Sequence, residues 1–262
     1  MDLSIIIPVY NSELILPKLV REINKALMDK NIKKELIFIN DFSEDNSWQT
    51  IKNLIKTNVY IKGINLKENY GQHNAISAGL NYSSGEYIIL MDDDLQHDPI
   101  YIFQILKELK NGYDSCYVKY SKRKHKIWKK VLSYLNHITS SYLSSKTTKI
   151  YTSSFKGIKK DLCDIINKDP NFEVFLDWLI VENSSKIQTI EILHRHRLEG
   201  KTNYDIKKLL ILWSNMIIKI KPKSKFKMIL LSIIKIIINS IIYKLLNKKK
   251  FKEKFIISEK TF

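Results

Sequence analysis

The chain runs to 262 residues, 44% hydrophobic and 27% charged, with a formal net charge of +17. That length buries one sizeable core plus an appendage, and the apolar fraction excludes a disordered chain. Two cysteines, Cys116 and Cys163, share no spacing motif, which excludes a disulfide framework and leads us to expect reduced thiols. The start enters an apolar run at Leu3-Ser-Ile-Ile-Ile7 without a charged lead or cleavage site, so no secretory signal is expected.

In chain order, Leu3–Val9 reads as a short apolar strand whose exit is Pro8-Val-Tyr-Asn11. Residues 12–28 then carry Leu14, Ile15, Leu19, Val20, Ile23 and Leu27 at helical spacing. Residues 35–40 and 59–66 read as the second and third strands, with a helix over 47–56 between them. Gln72–Tyr82 is the next predicted helix and 87–91 the fourth strand. Asp98-Pro99 supplies an N-cap followed by proline in the first turn, so a helix is expected from there to Lys110. Residues 113–118 form a fifth predicted strand. Strands alternating with helices in this way predict a mostly parallel sheet covered on both faces.

The second half is less regular. Residues 122–143 suggest a basic helix bearing Trp128, Tyr134 and Tyr142, and 144–149 a polar loop. Short helices are expected within 155–166 and 172–181. Ile187–Leu193 reads as a strand ending in His194-Arg-His-Arg197, and helices are expected over 204–220 and 225–246. No repeat or Gly/Ser linker intervenes, which predicts a main domain over 1–204 and a basic, apolar attachment over 205–262.

Charge is segregated along this plan. Residues 1–120 hold 13 Lys/Arg against 16 Asp/Glu, 121–200 hold 15 against 8, and 201–262 hold 16 against 3. A general richness in Lys, Ile and Asn explains the abundance of cations better than their segregation. A tail of this charge would attract nucleic-acid phosphates, but it alternates lysines with long Ile/Leu runs. That pattern fits a lipid surface better, and no nucleic-acid partner is expected.

The chemistry concentrates where strands end, because ligands of open α/β sheets bind at the carboxyl edge. Asp92, Asp93 and Asp94 follow the apolar fourth strand directly. In extended chain Asp92 and Asp94 share a side while Asp93 points elsewhere. Such a pair can hold Mg²⁺ or Mn²⁺ on a diphosphate, the remaining ligands being water and phosphate oxygens. The competing reading is a solvated acidic turn ahead of the next helix. Asp41 in Phe38-Ile-Asn-Asp-Phe-Ser-Glu-Asp-Asn-Ser47 ends the second strand beside the exit carrying Pro8, Tyr10 and Asn11, and two such exits make a crevice for a base and its ribose. His73 and His97 lack metal-ligand spacing and are assigned structural or solvent-facing roles; His194 and His196 lack a third ligand for zinc. Arg195, Arg197, Lys201 and Tyr204, with Lys122 and Arg123 upstream, are candidates for clasping phosphate.

Together these residues resemble family 2 glycosyltransferases of the GT-A fold, closely over residues 2–115 and more loosely over 187–204. Ser4-Ile-Ile-Ile-Pro-Val-Tyr-Asn11 is similar to the family's opening strand, and Asn40-Asp-Phe-Ser-Glu-Asp-Asn-Ser47 to its second nucleotide-binding turn. Asn69-Tyr-Gly-Gln-His-Asn-Ala75 and Gly79 match the segment before its metal motif, and Asp92-Asp-Asp-Leu-Gln96 matches Asp-x-Asp-Leu-Gln. Gln96 and the pattern Arg197-Leu-Glu-Gly-Lys-Thr-Asn-Tyr204 resemble polyprenyl-phosphate sugar synthases. Asn40 stands where an acid is common and Phe42 where glycine is common.

The resemblance implies a Rossmann-like GT-A domain with C-terminal membrane-associated helices, acting as a metal-dependent, inverting hexosyltransferase. Pro8, Tyr10, Asn11, Glu13, Asp41, Gly71 and Asp93 would bind the nucleotide sugar. Asp92 and Asp94 would hold Mg²⁺ or Mn²⁺, with Gln96 near the sugar. Arg123, Arg195, Arg197, Lys201 and Tyr204 would meet phosphate or acceptor. The expected acceptor is a polyprenyl phosphate; the alternative is a hydroxyl of a lipid-linked or surface glycan, for which Asp177 or Glu173 would serve as base. An anionic membrane surface is the expected partner, at its cytoplasmic face, with homo-oligomerisation left open. The one candidate span, 228–246, contains Lys235, Asn239 and Lys244. A span needs about 20 apolar residues, and a central lysine costs about 2.5–3.5 kcal/mol. An in-plane helix therefore competes evenly with a crossing one.

Overall fold

The computed structural model describes residues 1–121, 151–169, 176–193 and 255–262. Its frame is an eight-stranded sheet: β1 (Leu3–Val9), β2 (Lys34–Asn40), β3 (Ile61–Leu66), β4 (Tyr87–Leu90), β5 (Ser115–Ser121), β6 (Lys156–Lys159), β7 (Ile187–Leu193) and β8 (Ile257–Thr261). The strand order is β7-β5-β6-β4-β1-β2-β3-β8. β6 and β8 run against the other strands. The expected mostly parallel sheet is therefore present, with one reversed strand inserted near its middle and another at an edge.

β1 and β2 lie between neighbours and under helices, so their sequences are nearly unbroken apolar runs. On one face, α1 (Leu16–Leu27), α2 (Ser47–Thr57) and α4 (Ile102–Lys110) close a core with Leu19, Ile23, Phe38, Ile51 and Ile105. On the other, α3 (Gln72–Tyr82), α5 (Lys160–Asn167) and α6 (Leu176–Asn183) pack Ala75, Leu80, Cys163 and Ile180 against Ile6, Ile39 and Leu90. Both cysteines are buried free thiols. α1 begins at Leu16, four residues later than its apolar spacing suggests. α4 is preceded by a 3-10 turn at Pro99–Tyr101, which the Asp98 side chain caps by accepting from the Ile100 N–H.

The sequence reading missed two strands. Residues 155–166 do hold the expected short helix, α5, but β6 precedes it directly. β6 is Lys-Gly-Ile-Lys, with no apolar alternation to announce it. Its Gly157 is dictated by close approach, since a Cβ there would lie 2.4 Å from Ile105 Cγ2. The other strand is β8, whose Ile-Ser-Glu-Lys-Thr is the charged composition of an edge strand. The helices expected over 122–143, 204–220 and 225–246, and the division at 204/205, lie outside the described residues. Among the described residues, no helix is long and apolar enough to cross a membrane.

Candidate active site

The parallel strands release their chains at one edge, and the loops there are bound to one another. The β1 exit docks on the β2 exit through five hydrogen bonds. The Asn11 N–H donates to Ser43 Oγ (3.0 Å), and the Glu44 N–H to Asn11 Oδ1 (2.8 Å). The Ser12 N–H donates to Ser47 Oγ (2.8 Å), the Glu13 N–H to Asp45 Oδ2 (3.1 Å), and the Asn46 N–H to Glu13 Oε2 (2.8 Å). Each exit reverses through a left-handed residue, Asn11 at φ 55° and Phe42 at φ 58°. That conformation is why glycine suits position 42. Phe42 adopts it as a residue 51% exposed.

Pro8, Tyr10, Asn11, Glu13 and Asp41 are thus brought together as expected. The Asn11 and Glu13 side chains also staple the two loops. Asp41, 4% exposed, reaches the third exit: its carboxylate accepts the Tyr70 N–H (2.7 Å) and the Gly71 N–H (2.8 Å). Burial pushes the Asp41 carboxyl above its ordinary value, and the two N–H groups oppose that. Gly71, at φ 87°, occupies a conformation that side chains resist, and it opens α3.

The three consecutive acids diverge. Asp93 turns to β1, where it accepts from Ser12 Oγ (2.6 Å) and from the Tyr10 N–H (3.4 Å). Burial, helped by the charges of Asp92 and Asp94, pushes the Asp93 carboxyl up to about 7 against the Ser12 hydrogen bond. Asp92 accepts from Gln72 Nε2 at Oδ1 (2.7 Å) and from Ser154 Oγ at Oδ2 (2.9 Å). Asp94 Oδ1 accepts the Gln96 N–H (3.0 Å). Leu95 between them has φ 58°, which tightens the turn.

This donor set fits a hard divalent cation that shares its shell with substrate. Among the described residues no three His, Cys, Asp or Glu side chains gather into a metal cage. Mg²⁺ and Mn²⁺ prefer oxygen and are commonly held by one or two carboxylates plus phosphate and water. Asp92 and Asp94 supply two carboxylates, and each oxygen of Asp92 keeps lone-pair capacity beyond its hydrogen bond.

Asp177 opens α6 beside the same edge, but its carboxylate is engaged. It is ion-paired with Lys156 Nζ and accepts from Tyr117 Oη (3.1 Å). Lys156 is itself buried. Because Lys156 pairs with Leu90 in the β4–β6 ladder, this ion pair stands two residues from the acidic turn. Arg123, Glu173, Arg195, Arg197, Lys201 and Tyr204 lie outside the described residues.

Sequence reasoning missed Ser12, Gln72 and Ser154, and it separated His97 from the acids. Gln72 stands inside the matched segment 69–75 but was given no role there, and Ser12 and Ser154 belong to no pattern on their own elements. Each meets its carboxylate only after the sheet has assembled, and for His97 the one available signal was its spacing of five residues from Asp92.

Residues 4–166 match glycosyl transferase family 2. Among curated proteins, the uncharacterized glycosyltransferase YkcC of Bacillus subtilis (strain 168) is 29% identical over 208 residues, 79% of this chain and 64% of that protein. The undecaprenyl-phosphate 4-deoxy-4-formamido-L-arabinose transferase of Proteus mirabilis (strain HI4320) is 28% identical over 216 residues, 82% of this chain and 66% of that protein. The matched stretch thus spans less than two thirds of each relative. Among solved structures, glucosyl-3-phosphoglycerate synthase of Mycobacterium tuberculosis, in complex with Mn²⁺, uridine-diphosphate-glucose and phosphoglyceric acid, superposes with a TM-score of 0.56 at 14% identity. That superposition covers 82% of this chain and 78% of that one. S. aureus TarS residues 1-349 superpose with a TM-score of 0.52 at 16% identity, covering 95% and 76%. Likenesses at such identities speak to the fold alone, which is that of these transferases. With residues 4–166, well over half its length, matched, the chain belongs to glycosyl transferase family 2.

Proposed function

We propose that the protein transfers a sugar from a nucleotide diphosphate to a polyprenyl phosphate, with inversion at the anomeric carbon. The crevice between the β1 and β2 exits takes the nucleoside, against Pro8, Tyr10 and Asp41. Asp92 and Asp94 hold Mg²⁺ or Mn²⁺, and Gln96 lies near the sugar. The bound cation would neutralise charge on the departing diphosphate. An oxygen of the acceptor phosphate attacks the anomeric carbon as the bond to the diphosphate oxygen breaks. A nucleoside diphosphate then leaves with that electron pair.

The observation that favours a phosphate acceptor over a hydroxyl is the Lys156–Asp177 ion pair. A hydroxyl must lose a proton as it attacks, so it needs a carboxylate with a lone pair free to take it. Both contacts meet Asp177 Oδ1, so a proton could be taken on the other oxygen, but it would leave the buried Lys156 ammonium without its counter-charge. A phosphate oxygen is already anionic near neutral pH, and a cation close to the edge would help to seat it. The likeness to the undecaprenyl-phosphate transferase of Proteus mirabilis supports the same acceptor class.

We also propose that the site edge faces an anionic membrane surface on the cytoplasmic side. β7 ends at Leu193 and β8 begins beside Leu66, the last residue of β3. The described residues that flank 194–254 therefore lie at the sheet's carboxyl edge, and a membrane facing that edge would meet the residues between them. They hold 17 Lys/Arg against 3 Asp/Glu, and each cation near anionic lipid contributes about 1 kcal/mol. Salt-resistant, detergent-sensitive sedimentation with membranes is the expected behaviour; release by salt alone would leave only an electrostatic partner.

Incubating purified protein and Mg²⁺ or Mn²⁺ with a panel of nucleotide sugars tests the transfer reading. Short-chain polyprenyl phosphate and a glycan-lipid are offered as competing acceptors. Sugar–phosphate lipid is the expected product. Product from the hydroxyl acceptor alone would overturn it.

A further inference from the structure

His97 is 2% exposed, and nothing in the transfer just described uses it. Its surroundings give it one protonation pattern. The Asp92 N–H lies 3.0 Å from Nδ1, and because a backbone N–H only donates, Nδ1 is the bare nitrogen and Nε2 carries the proton. Nε2 stands 3.2 Å from Ser154 Oγ and 3.5 Å from Asp92 Oδ2. Ser154 Oγ is 2.9 Å from the same Oδ2. Donors and acceptors then agree along the whole chain: Nε2–H donates to Ser154 Oγ, and the serine hydroxyl donates to Asp92 Oδ2. His97 therefore grips Asp92 twice, at its backbone directly and at its carboxylate through Ser154.

The grip is rigid because the imidazole is stacked. Phe155 lies parallel to it, with centroids 4.9 Å apart and planes 9° apart, and Tyr120 is on the ring as well at 6.0 Å and 17°. The left-handed turn at Leu95 brings residue 97 back over residue 92. Gln72 fixes the remaining oxygen, Oδ1, from α3. One short carboxylate is thus held by its own turn, the approach to β6, and α3, with β5 buttressing the ring.

We infer that His97 is a positioning residue that sets the rotamer of Asp92 toward a diphosphate-bound divalent cation, with Ser154 as its intermediary. The inference rests on the transferase reading of the acidic turn. A short carboxylate free to rotate would lose part of its time in orientations that miss the cation. Groups that orient a metal ligand in this way are typically worth about 10–100-fold in metal affinity.

Titrating the full chain with Mn²⁺ alone, followed by paramagnetic resonance of the free ion, tests this. His97→Phe keeps the ring stack and removes both hydrogen bonds; an increase in the Mn²⁺ dissociation constant of about 10–100-fold is expected. His97→Asn places an amide oxygen near the position of Nδ1, so it should recover part of the loss. Ser154→Ala, a smaller change that keeps the fold should His97→Phe fail to, should weaken binding by several-fold. In turnover assays the same variants should raise the Mn²⁺ concentration for half-maximal rate more than they lower the rate at saturation. Asp94→Ala separates the two levels of the proposal. If it abolishes binding while folded His97→Phe and Ser154→Ala bind as the parent does, the positioning role is overturned and the transferase reading stands. If Asp94→Ala also binds as the parent does, the metal site itself is overturned.

Discussion

The Ser12 hydroxyl donates a 2.6 Å hydrogen bond to the carboxylate of Asp93, joining the exit of β1 to the exit of β4 across neighbouring strands. The loop proposed to hold the nucleoside and the turn proposed to hold the cation are therefore one mechanical unit. Ser12→Ala leaves Asp93 with only the long contact from the Tyr10 N–H. A hydrogen bond is worth about 0.5–1.5 kcal/mol between neutral groups and about 1.5–3 kcal/mol to a charged one. A carboxyl pushed up to about 7 lies between the two near neutral pH. The unfolding free energy from urea melts should therefore fall by about 1–2 kcal/mol, with a lower midpoint, and the Michaelis constant for the donor should rise. An unchanged midpoint would show that the bond carries no stability.

Asp177→Asn separates the two acceptor chemistries, since the amide keeps the shape and cannot take a proton. If Asp177 only balances Lys156, transfer to polyprenyl phosphate should fall by less than about tenfold, well short of what losing a general base does. Loss of a base costs about 10²–10⁴-fold, and a drop of that size would return Asp177 to the catalytic role. Lys156→Met should cost stability as well. It strands a carboxylate beside the buried hydroxyl of Tyr117, and unpairing a buried ion pair costs about 3–5 kcal/mol, here reduced because Asp177 is partly open to solvent.

At the opposite edge of the sheet, Glu35 is fully buried. Burial alone would raise its carboxyl, but the hydrogen bonds from Lys62, Ser4 and Ser84 outweigh it and hold the pKa below the ordinary glutamate value. A depressed folded-state pKa adds stability that is present above the unfolded value, about 4.3, and is lost as pH falls through the folded one. Glu35→Gln should cost about 2 kcal/mol at neutral pH. The gap between parent and variant in denaturant melts should narrow below about pH 4. A gap that stays constant from pH 7 to pH 3 would mean that the charge of Glu35 contributes nothing.

What could be read in the sequence follows from burial. β1 and β2 are covered on both faces, so Ile5, Ile6, Ile7 and Leu36, Ile37, Phe38 announce them without any partner being known. The strand exits were legible for the same reason, since Asp41 and Asp92 stand where such runs must stop. Phe42 was marked as unusual from the sequence, and its positive φ supplies the reason. β6 was hidden because Lys156 and Lys159 are charged, although Lys156 is buried by pairing with Asp177, an interaction between residues 21 apart. His97 was set aside for lacking a metal partner, and it proves to be buried against Asp92 instead. Spacing along a chain reports neighbours on one element. It carries no trace of a serine arriving from 62 residues away.

β8 offers the last test, because it is the strand least supported by its own residues. Four of its five residues are polar and Ile257 packs against the core; its ladder covers the edge of β3, and side-chain contacts add to it. Trp48 Nε1 donates to Glu259 Oε2 at 2.8 Å, Ser258 Oγ donates to the Asn65 carbonyl at 3.1 Å, and the Phe262 ring meets Tyr82 with centroids 5.6 Å apart. Ending the chain after residue 254 would bare the N–H and C=O groups of β3 to other molecules. The truncated protein should melt several degrees lower and sediment as larger species on warming, roughly as expected for losing 1–2 kcal/mol from a chain of this size. Trp48→Phe, which removes only the bond to Glu259, should reproduce a small part of the shift. A truncated chain that melts with the parent and stays monodisperse would mean that β8 lies on the sheet without holding it.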